Sequence, residues 1–383
     1  MRISDIVTTK RTERIKSQKP DSLRESPSAE RREFAVSAFL PTAYALKPAI
    51  AQTKLSETRR MPHARIRPTE IYSNLTRIAR SFLEGISQEP VKYPDLEEIC
   101  EAIEWIMEGL EFQPSRLLEF VERSTPEDYL PGHTANVTVL STALAQQMGW
   151  PKERQRILAL GALLHDAGMV AHRSIYSKPA ELNCEEKEAI MSSPQKGAEA
   201  LNDFFEAIAP KPREVVRGIV LQSKERISGN GFPNKLPAEQ ILVESQIVGL
   251  CSTYEALTHP RPFRGRKLPH DTLRQMIELS GESFDGGLIK TLWETLTLFP
   301  PGSFVKLNTG ETAKVIDLNK TLPTRPIVKV VISANEEKVK EEKIIDLSKT
   351  PSVLIEGAVD ECSLKLTDKR LLLELRAQKW WFW

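Results

Sequence analysis

From Glu70 to Leu298 apolar residues return at the spacing of a helix face, and no β-rich stretch interrupts them. Ile71, Leu75, Ile78, Ala79 and Phe82 form the first such face. A second follows Pro94, with Leu96, Ile99, Ile103, Ile106 and Met107. A third follows Pro114, with Leu117, Leu118 and Val121. The pattern predicts a fourth helix over Gly132 to Met148, and a fifth with Pro151 as its first residue that ends near Gly168. Further helices are predicted over Cys184 to Met191, Pro194 to Ala207, Pro212 to Leu221, Ala238 to Leu257, Asp271 to Leu279 and Leu288 to Leu298. Helices that each carry an apolar stripe bury it against one another, so this region reads as an all-α bundle.

At Pro300-Pro301-Gly302 the period changes from 3.6 to 2. Ser303 to Leu307 alternates, Asn308-Thr309-Gly310 is a turn, and Thr312 to Leu318 and Ile327 to Ile332 read as strands. The fold class is therefore mainly α: a helical bundle over 69–299, then a small β-rich appendage over 300–358. Residues 1–68 are rich in Arg, Lys, Ser, Thr and Pro and read as a largely disordered arm. Residues 359–383 form a tail ending in the aromatic cluster Trp380-Trp381-Phe382-Trp383.

Charge excludes little. Lys and Arg number 53 against 52 Asp and Glu, but Met1 to Glu70 alone holds 15 basic and 8 acidic residues. Such an arm most often is a solvated linker, and nucleic acid is not expected as a partner. The four cysteines (Cys100, Cys184, Cys251, Cys362) show no CxxC pair, which fits a reducing compartment. No apolar run approaches the roughly 20 residues of a membrane helix, and no signal peptide is evident. The expected location is cytoplasmic.

The candidate chemistry lies where the fifth apolar run closes, at Leu164-His165-Asp166. Neighbouring imidazole and carboxylate groups make a compact nitrogen-oxygen metal site that can activate water. An unpaired carboxylate after an apolar run is costly to bury, so Asp166 calls for a partner. His133, near the start of the fourth helix, is placed to join the pair.

The run Leu164-His165-Asp166-Ala167-Gly168 resembles the helix signature of the HD superfamily of metal-dependent phosphohydrolases. Three later stretches, Glu225 with Gly229-Asn230-Gly231-Phe232-Pro233, Ile247 to Thr258, and Arg261-Pro262-Phe263-Arg264, resemble the HD-GYP subfamily, bacterial phosphodiesterases that open cyclic di-GMP. Pro301 to Leu307 with Gly310-Glu311 resembles the segment that often follows that domain. The resemblance implies an HD-type bundle, with His133, His165 and Asp166 as metal ligands and Asp166 at the catalytic centre. It implies Arg261, Arg264 and Lys178 as substrate contacts. It also points to departures. Ser193, Ser223, Lys224 and Ser252 stand where further ligands are expected, Tyr129 where an acidic ligand may lie, and Met169 in place of a lysine.

A two-ion centre needs roughly six or more imidazole and carboxylate ligands. Serine stays protonated and binds metal poorly. An ammonium at Lys224 would repel a dication, since unit charges about 4 Å apart interact by about 4 kcal/mol at an effective dielectric of 20; it could pair with Asp166 instead. The resulting expectation is a degenerate HD-GYP protein of cyclic-di-GMP signalling, a sensor or interaction module with weak or no hydrolysis. Its cofactor is none or a single divalent metal, iron or manganese if the protein is active. Its partners are cyclic di-GMP and a signalling protein met through the Gly229–Pro233 loop or the Trp380–Trp383 tail. One alternative is an active phosphodiesterase with a reduced metal site. Another is a nucleotide-independent adaptor.

Overall fold

The computed structural model describes residues 66–121, 129–261, 264–319, 321–322 and 324–360. The expected arm (apart from 66–68), Cys362 and the Trp380–Trp383 tail lie outside them. The described chain is a helical bundle followed by a five-stranded antiparallel sheet.

Three helices build the first wall: α1 (Pro68–Ile86), α2 (Leu96–Phe112) and α3 (Pro114–Val121). Asp95 caps α2 by accepting from the Glu97 amide at 3.3 Å. The centre of the bundle is α4 (Tyr129–Gln147), most of which is buried. It packs on α1, α3, α5 (Lys152–Leu164), α11 (Val243–Thr258) and α13 (Gly286–Leu296). α4 is buried on nearly all sides although it carries several polar residues, some of them satisfied by its own backbone and some by neighbouring helices. Thr138 and Thr142 each donate to the carbonyl four residues back, at 2.8 Å.

Three helix readings are corrected. The fifth helix stops at Leu164, and Pro151 is its N-cap rather than its first residue. His165 and Asp166 therefore sit in a corner, not on a helix, before a 3₁₀ turn over Ala167–His172. Gly168 makes that corner possible: a Cβ there would lie 1.8 Å from the Ser193 carbonyl oxygen. The helix read over Pro194 to Ala207 breaks at Leu201, into α8 (Ser193–Ala200) and α9 (Asn202–Glu206). The helix read from Ala238 is a 3₁₀ turn (Ala238–Gln240) followed by α11. They separate at Leu242, whose extended backbone donates to Gln222 Oε1 at 2.9 Å. The short α6 (Arg173–Tyr176) and α7 (Cys184–Met191) follow the corner. α10 (Pro210–Gln222) and α12 (Pro269–Glu278) complete the bundle.

The sheet has the order β4-β3-β2-β1-β5, with β1 Phe304–Leu307, β2 Thr312–Asp317, β3 Ile327–Ile332, β4 Lys338–Asp346 and β5 Ile355–Val359. Its own core gathers Phe299, Val305, Leu307, Ala313, Val315, Val328, Val330 and Leu347. The sequence pattern missed β4 and β5. β4 reads Lys-Val-Lys-Glu-Glu-Lys because it is an edge strand, and charge on an edge discourages pairing with other chains. The sheet is tied to α3 by Lys314 to Glu119 at 2.7 Å and by Ser115 to Asp317.

Burial also sorts the described thiols. It pushes Cys100 up to about 11 and Cys251 up to about 12, whereas Cys184 is exposed. Alkylation at pH 8 followed by peptide mass spectrometry is expected to label Cys184 well before the other two, because the thiolate is the nucleophile. Equal labelling of Cys251 would contradict the packing of α11.

Candidate functional site

Four segments meet at one buried point. α4 supplies His133, the corner after α5 supplies His165 and Asp166, the end of α10 leads into Lys224, and α11 supplies Ser252 and Glu255. His133, His165 and Asp166 are 1%, 2% and 5% exposed. Among the described residues these three form one group whose ligand atoms all lie within 4.8 Å of one another.

His133 is held from both sides. Its Nδ1 donates to Glu255 Oε2, and its Nε2 lies 3.2 Å from Asp166 Oδ2 and 3.3 Å from Ser252 Oγ. Burial disfavours a charged ring here, but the Glu255 and Asp166 carboxylates outweigh it and raise the imidazole to about 9. His133 is thus an imidazolium between two carboxylates. Burial by itself would raise Glu255 as well; the His133 charge and its hydrogen bonds bring it down to about 2.

His165 is the opposite case. Its Nδ1 donates to the Ala162 carbonyl at 2.7 Å, because a carbonyl can only accept. Burial lowers the ring to about 4, so it is neutral and its Nε2 carries a lone pair. That atom is buried without a hydrogen-bond partner, 3.5 Å from Asp166 Oδ2. Burial pulls the Asp166 carboxyl upward too, yet the imidazoles and the Lys224 ammonium hold it well below the usual carboxylate range. Lys224 Nζ sits 2.8 Å from Asp166 Oδ1 and 3.4 Å from Ser252 Oγ.

The donors can be judged against the metal that HD chemistry requires. An orphaned imidazole lone pair facing a carboxylate oxygen is a natural seat for one cation, with His133 as a third donor once it gives up its Nε2 proton. The set does not supply a second ion. Ser252 and Lys224 lie beside His133 and Asp166, and Ser193 and Ser223 are buried hydroxyl residues. Ser193 lies beneath the Gly168 corner, and Ser223 closes α10 as its C-cap.

Of the expected substrate contacts, Arg261 borders the cage and exchanges backbone hydrogen bonds with Arg264 (2.8 and 3.0 Å), whereas Lys178 is paired elsewhere. Arg261 stacks its guanidinium 3.5 Å above the Tyr129 ring and lies 3.7 Å from Glu255 Oε2. Tyr129 also lies against His133, at 5.5 Å between ring centres. Arg264 donates to the carbonyls of Ala256 at 2.5 Å and Leu257 at 3.3 Å, at the C-terminal end of α11. Lys178 pairs with Glu186 at 2.7 Å. Met169 donates its amide to the Asp166 carbonyl at 2.9 Å and offers no charge. In the Gly229–Pro233 loop, Glu225 accepts from the amides of Asn234 (2.7 Å) and Leu236 (3.1 Å), which folds the loop back on α10. Gly231 permits this, since a Cβ there would lie 2.3 Å from the Arg226 nitrogen.

Sequence reasoning missed one residue at the heart of the site. Glu255 is fully buried, accepts from His133 and from Asn136 Nδ2 (3.1 Å), and sits 3.4 Å from His259 Nδ1. Asn136 in turn accepts from the Tyr72 hydroxyl at 2.6 Å. The available signal was a carboxylate as the one charged residue of the run Ile247–Leu257, which can be buried only if it is paired.

Comparison with known proteins agrees with this architecture. The family model described as an HD domain matches residues 116–288, and the KOW domain associated with the HD domain matches 304–367. A cyclic di-GMP phosphodiesterase of Pseudomonas aeruginosa is 27% identical over 84% of this chain and 74% of its own length. The cyclic di-GMP phosphodiesterase PdeB of Borreliella burgdorferi is 27% identical over 58% of this chain and 55% of its own. The cyclic di-GMP phosphodiesterase response regulator RpfG of Xanthomonas campestris is 26% identical over 50% and 47%. The chain thus spans about three quarters of the first relative and about half of the other two. No helix among the described residues is long and apolar enough to cross a membrane. With a helical bundle that brings His133, His165 and Asp166 together, and a sheet of the associated KOW type behind it, this chain carries an HD domain over residues 116–288 and is similar to cyclic di-GMP phosphodiesterases of the HD-GYP family.

Proposed function

We propose that this protein serves cyclic-di-GMP signalling as a sensor or interaction module with weak or no hydrolysis. The observation that carries this reading is the make-up of the cage: Ser252 and Lys224, a hydroxyl and an ammonium, stand beside His133 and Asp166 where further metal donors are expected. In-line attack on a phosphodiester by metal-activated water relies on ions that hold both the attacking and the leaving oxygen. A cage with donors for one ion, and an ammonium on the Asp166 carboxylate, is poorly equipped for that. The relatives named above act on cyclic di-GMP by name, which supports a cyclic dinucleotide as the ligand. Arg261, Arg264 and Lys178 are the cationic groups this reading offers to its phosphates. The Gly229–Pro233 loop is the surface it offers to a protein partner.

The lone pair on His165 Nε2 favours a second reading, an active phosphodiesterase with one iron or manganese ion held by His133, His165 and Asp166. Such an ion would supply Lewis acidity and a nucleophilic water. The protein would supply two imidazoles, a carboxylate and an enclosed site around them. A hydrolysis assay on cyclic di-GMP with added Fe(II) or Mn(II), run beside binding calorimetry, separates the two. Binding without turnover is expected. Turnover that His165→Ala abolishes would establish the enzyme instead, and neither binding nor turnover would leave a nucleotide-independent adaptor.

A further inference from the structure

We infer that Lys224 is a built-in cation that locks a latent divalent-metal site made by His133, His165 and Asp166. This deepens the functional reading above and rests on it: it names the residue that keeps an ion out. Three observations carry it.

First, the site has the donor chemistry of a cation site. His165 Nε2, buried and without a hydrogen-bond partner while Nδ1 meets the Ala162 carbonyl, lies 3.5 Å from Asp166 Oδ2, and His133 Nε2 approaches the same oxygen to 3.2 Å. Two acceptors facing each other in a buried place call for positive charge nearby.

Second, a positive charge additional to the His133 imidazolium is fixed at the Asp166 carboxylate by the fold. The Lys224 ammonium lies 2.8 Å from Asp166 Oδ1, the other oxygen of the same carboxylate. A dication entering beside Oδ2 would meet a carboxylate already neutralised and a like charge close by.

Third, the fold places Lys224 there from several directions. α10 ends in the buried Ser223, so the next side chain emerges at the corner. Phe232 donates its amide to the Lys224 carbonyl at 3.2 Å, which anchors the backbone. α11 lies tight against this point, since a Cβ on Gly249 would sit 2.4 Å from the Ser223 carbonyl oxygen. That approach brings Ser252 Oγ to 3.4 Å from the ammonium. Serine at 252 belongs to the same device, because a short hydroxyl leaves the ammonium to Asp166.

Removing the charge would leave two imidazoles and a carboxylate, a workable set for one ion with water in the open position. The test uses the full chain and Mn(II) alone as probe. Lys224→Met keeps an unbranched stem and removes the charge, while Lys224→Arg keeps the charge. Calorimetric titration is expected to show Lys224→Met binding one equivalent of Mn(II) at least tenfold more tightly than the wild type. Lys224→Arg should bind no more tightly than the wild type, and His165→Ala in the Lys224→Met background should erase the gain. A gain that survives His165→Ala places the ion elsewhere and overturns the inference. So does a folded Lys224→Met protein that binds no better than the wild type. If Lys224→Met fails to fold, Lys224→Gln gives the same readout. Cyclic di-GMP turnover by the wild type would sink the functional reading, whereas the ratio of these metal affinities decides the lock.

Discussion

Alanine in place of Glu255 is expected to destabilise the protein by about 3–5 kcal/mol, the usual consequence of removing one member of a buried charged pair. The carboxylate is fully buried and serves several groups at once. It accepts from His133 Nδ1 and from Asn136 Nδ2, and it lies 3.7 Å from the Arg261 guanidinium. Its loss leaves a buried imidazole donor, an amide donor and a guanidinium without their acceptor. Glu255→Gln, which still offers a carbonyl oxygen, should fall between the wild type and alanine. For a protein of this size the alanine variant should melt about 5 °C lower. Urea unfolding followed by circular dichroism measures the difference. A loss below about 1 kcal/mol would mean that the network joining α1, α4 and α11 does not hold the bundle together.

The second large effect lies at Gly168. An added methyl group would stand 1.8 Å from the Ser193 carbonyl oxygen and 2.6 Å from the Gly197 nitrogen, both backbone atoms that cannot swing aside. Gly168→Ala must therefore push the 3₁₀ turn away from α8. Overpacking of this kind costs roughly 1–3 kcal/mol and occasionally more; with backbone as the obstacle, about 3 kcal/mol is expected. The displacement begins two residues from Asp166, so any ligand of the cage should bind more weakly as well. Gly265→Ala is the control: no atom lies within 4 Å of its added carbon. It should stay within about 0.5 kcal/mol of the wild type. Equal stability of the two variants would refute the close approach of the corner to α8.

The two predictions also mark what pattern reading can reach. Helical periodicity located the bundle, and the change of period at Pro300 located the sheet, because burial of one face imposes a repeat on the sequence. It failed where a segment has no buried face to advertise. β4 is charged over its first six residues apart from Val339 and packs only Val339 and Ile345, partly buried, on the sheet core, and the short α6 has no buried residue. Pro151, Leu201 and Leu242 were misplaced at helix ends, where caps and packing outweigh the repeat.

For the site, residue chemistry pointed to His165 and Asp166, since a carboxylate after an apolar run calls for a partner, and the resemblance added His133. The Lys224–Asp166 pairing was legible as a possibility, because opposite charges must find each other if both are buried. Tertiary structure alone decided the rest. Sequence distance does not reveal that Glu255, 122 positions from His133, grips its Nδ1, nor that Ser252 rather than Arg261 faces its Nε2. It does not say which nitrogen of His165 is left with a lone pair. Protonation and ligand geometry depend on which groups come within a few ångströms in a low-dielectric interior, and only the packing of α4, α5, α10 and α11 sets those distances.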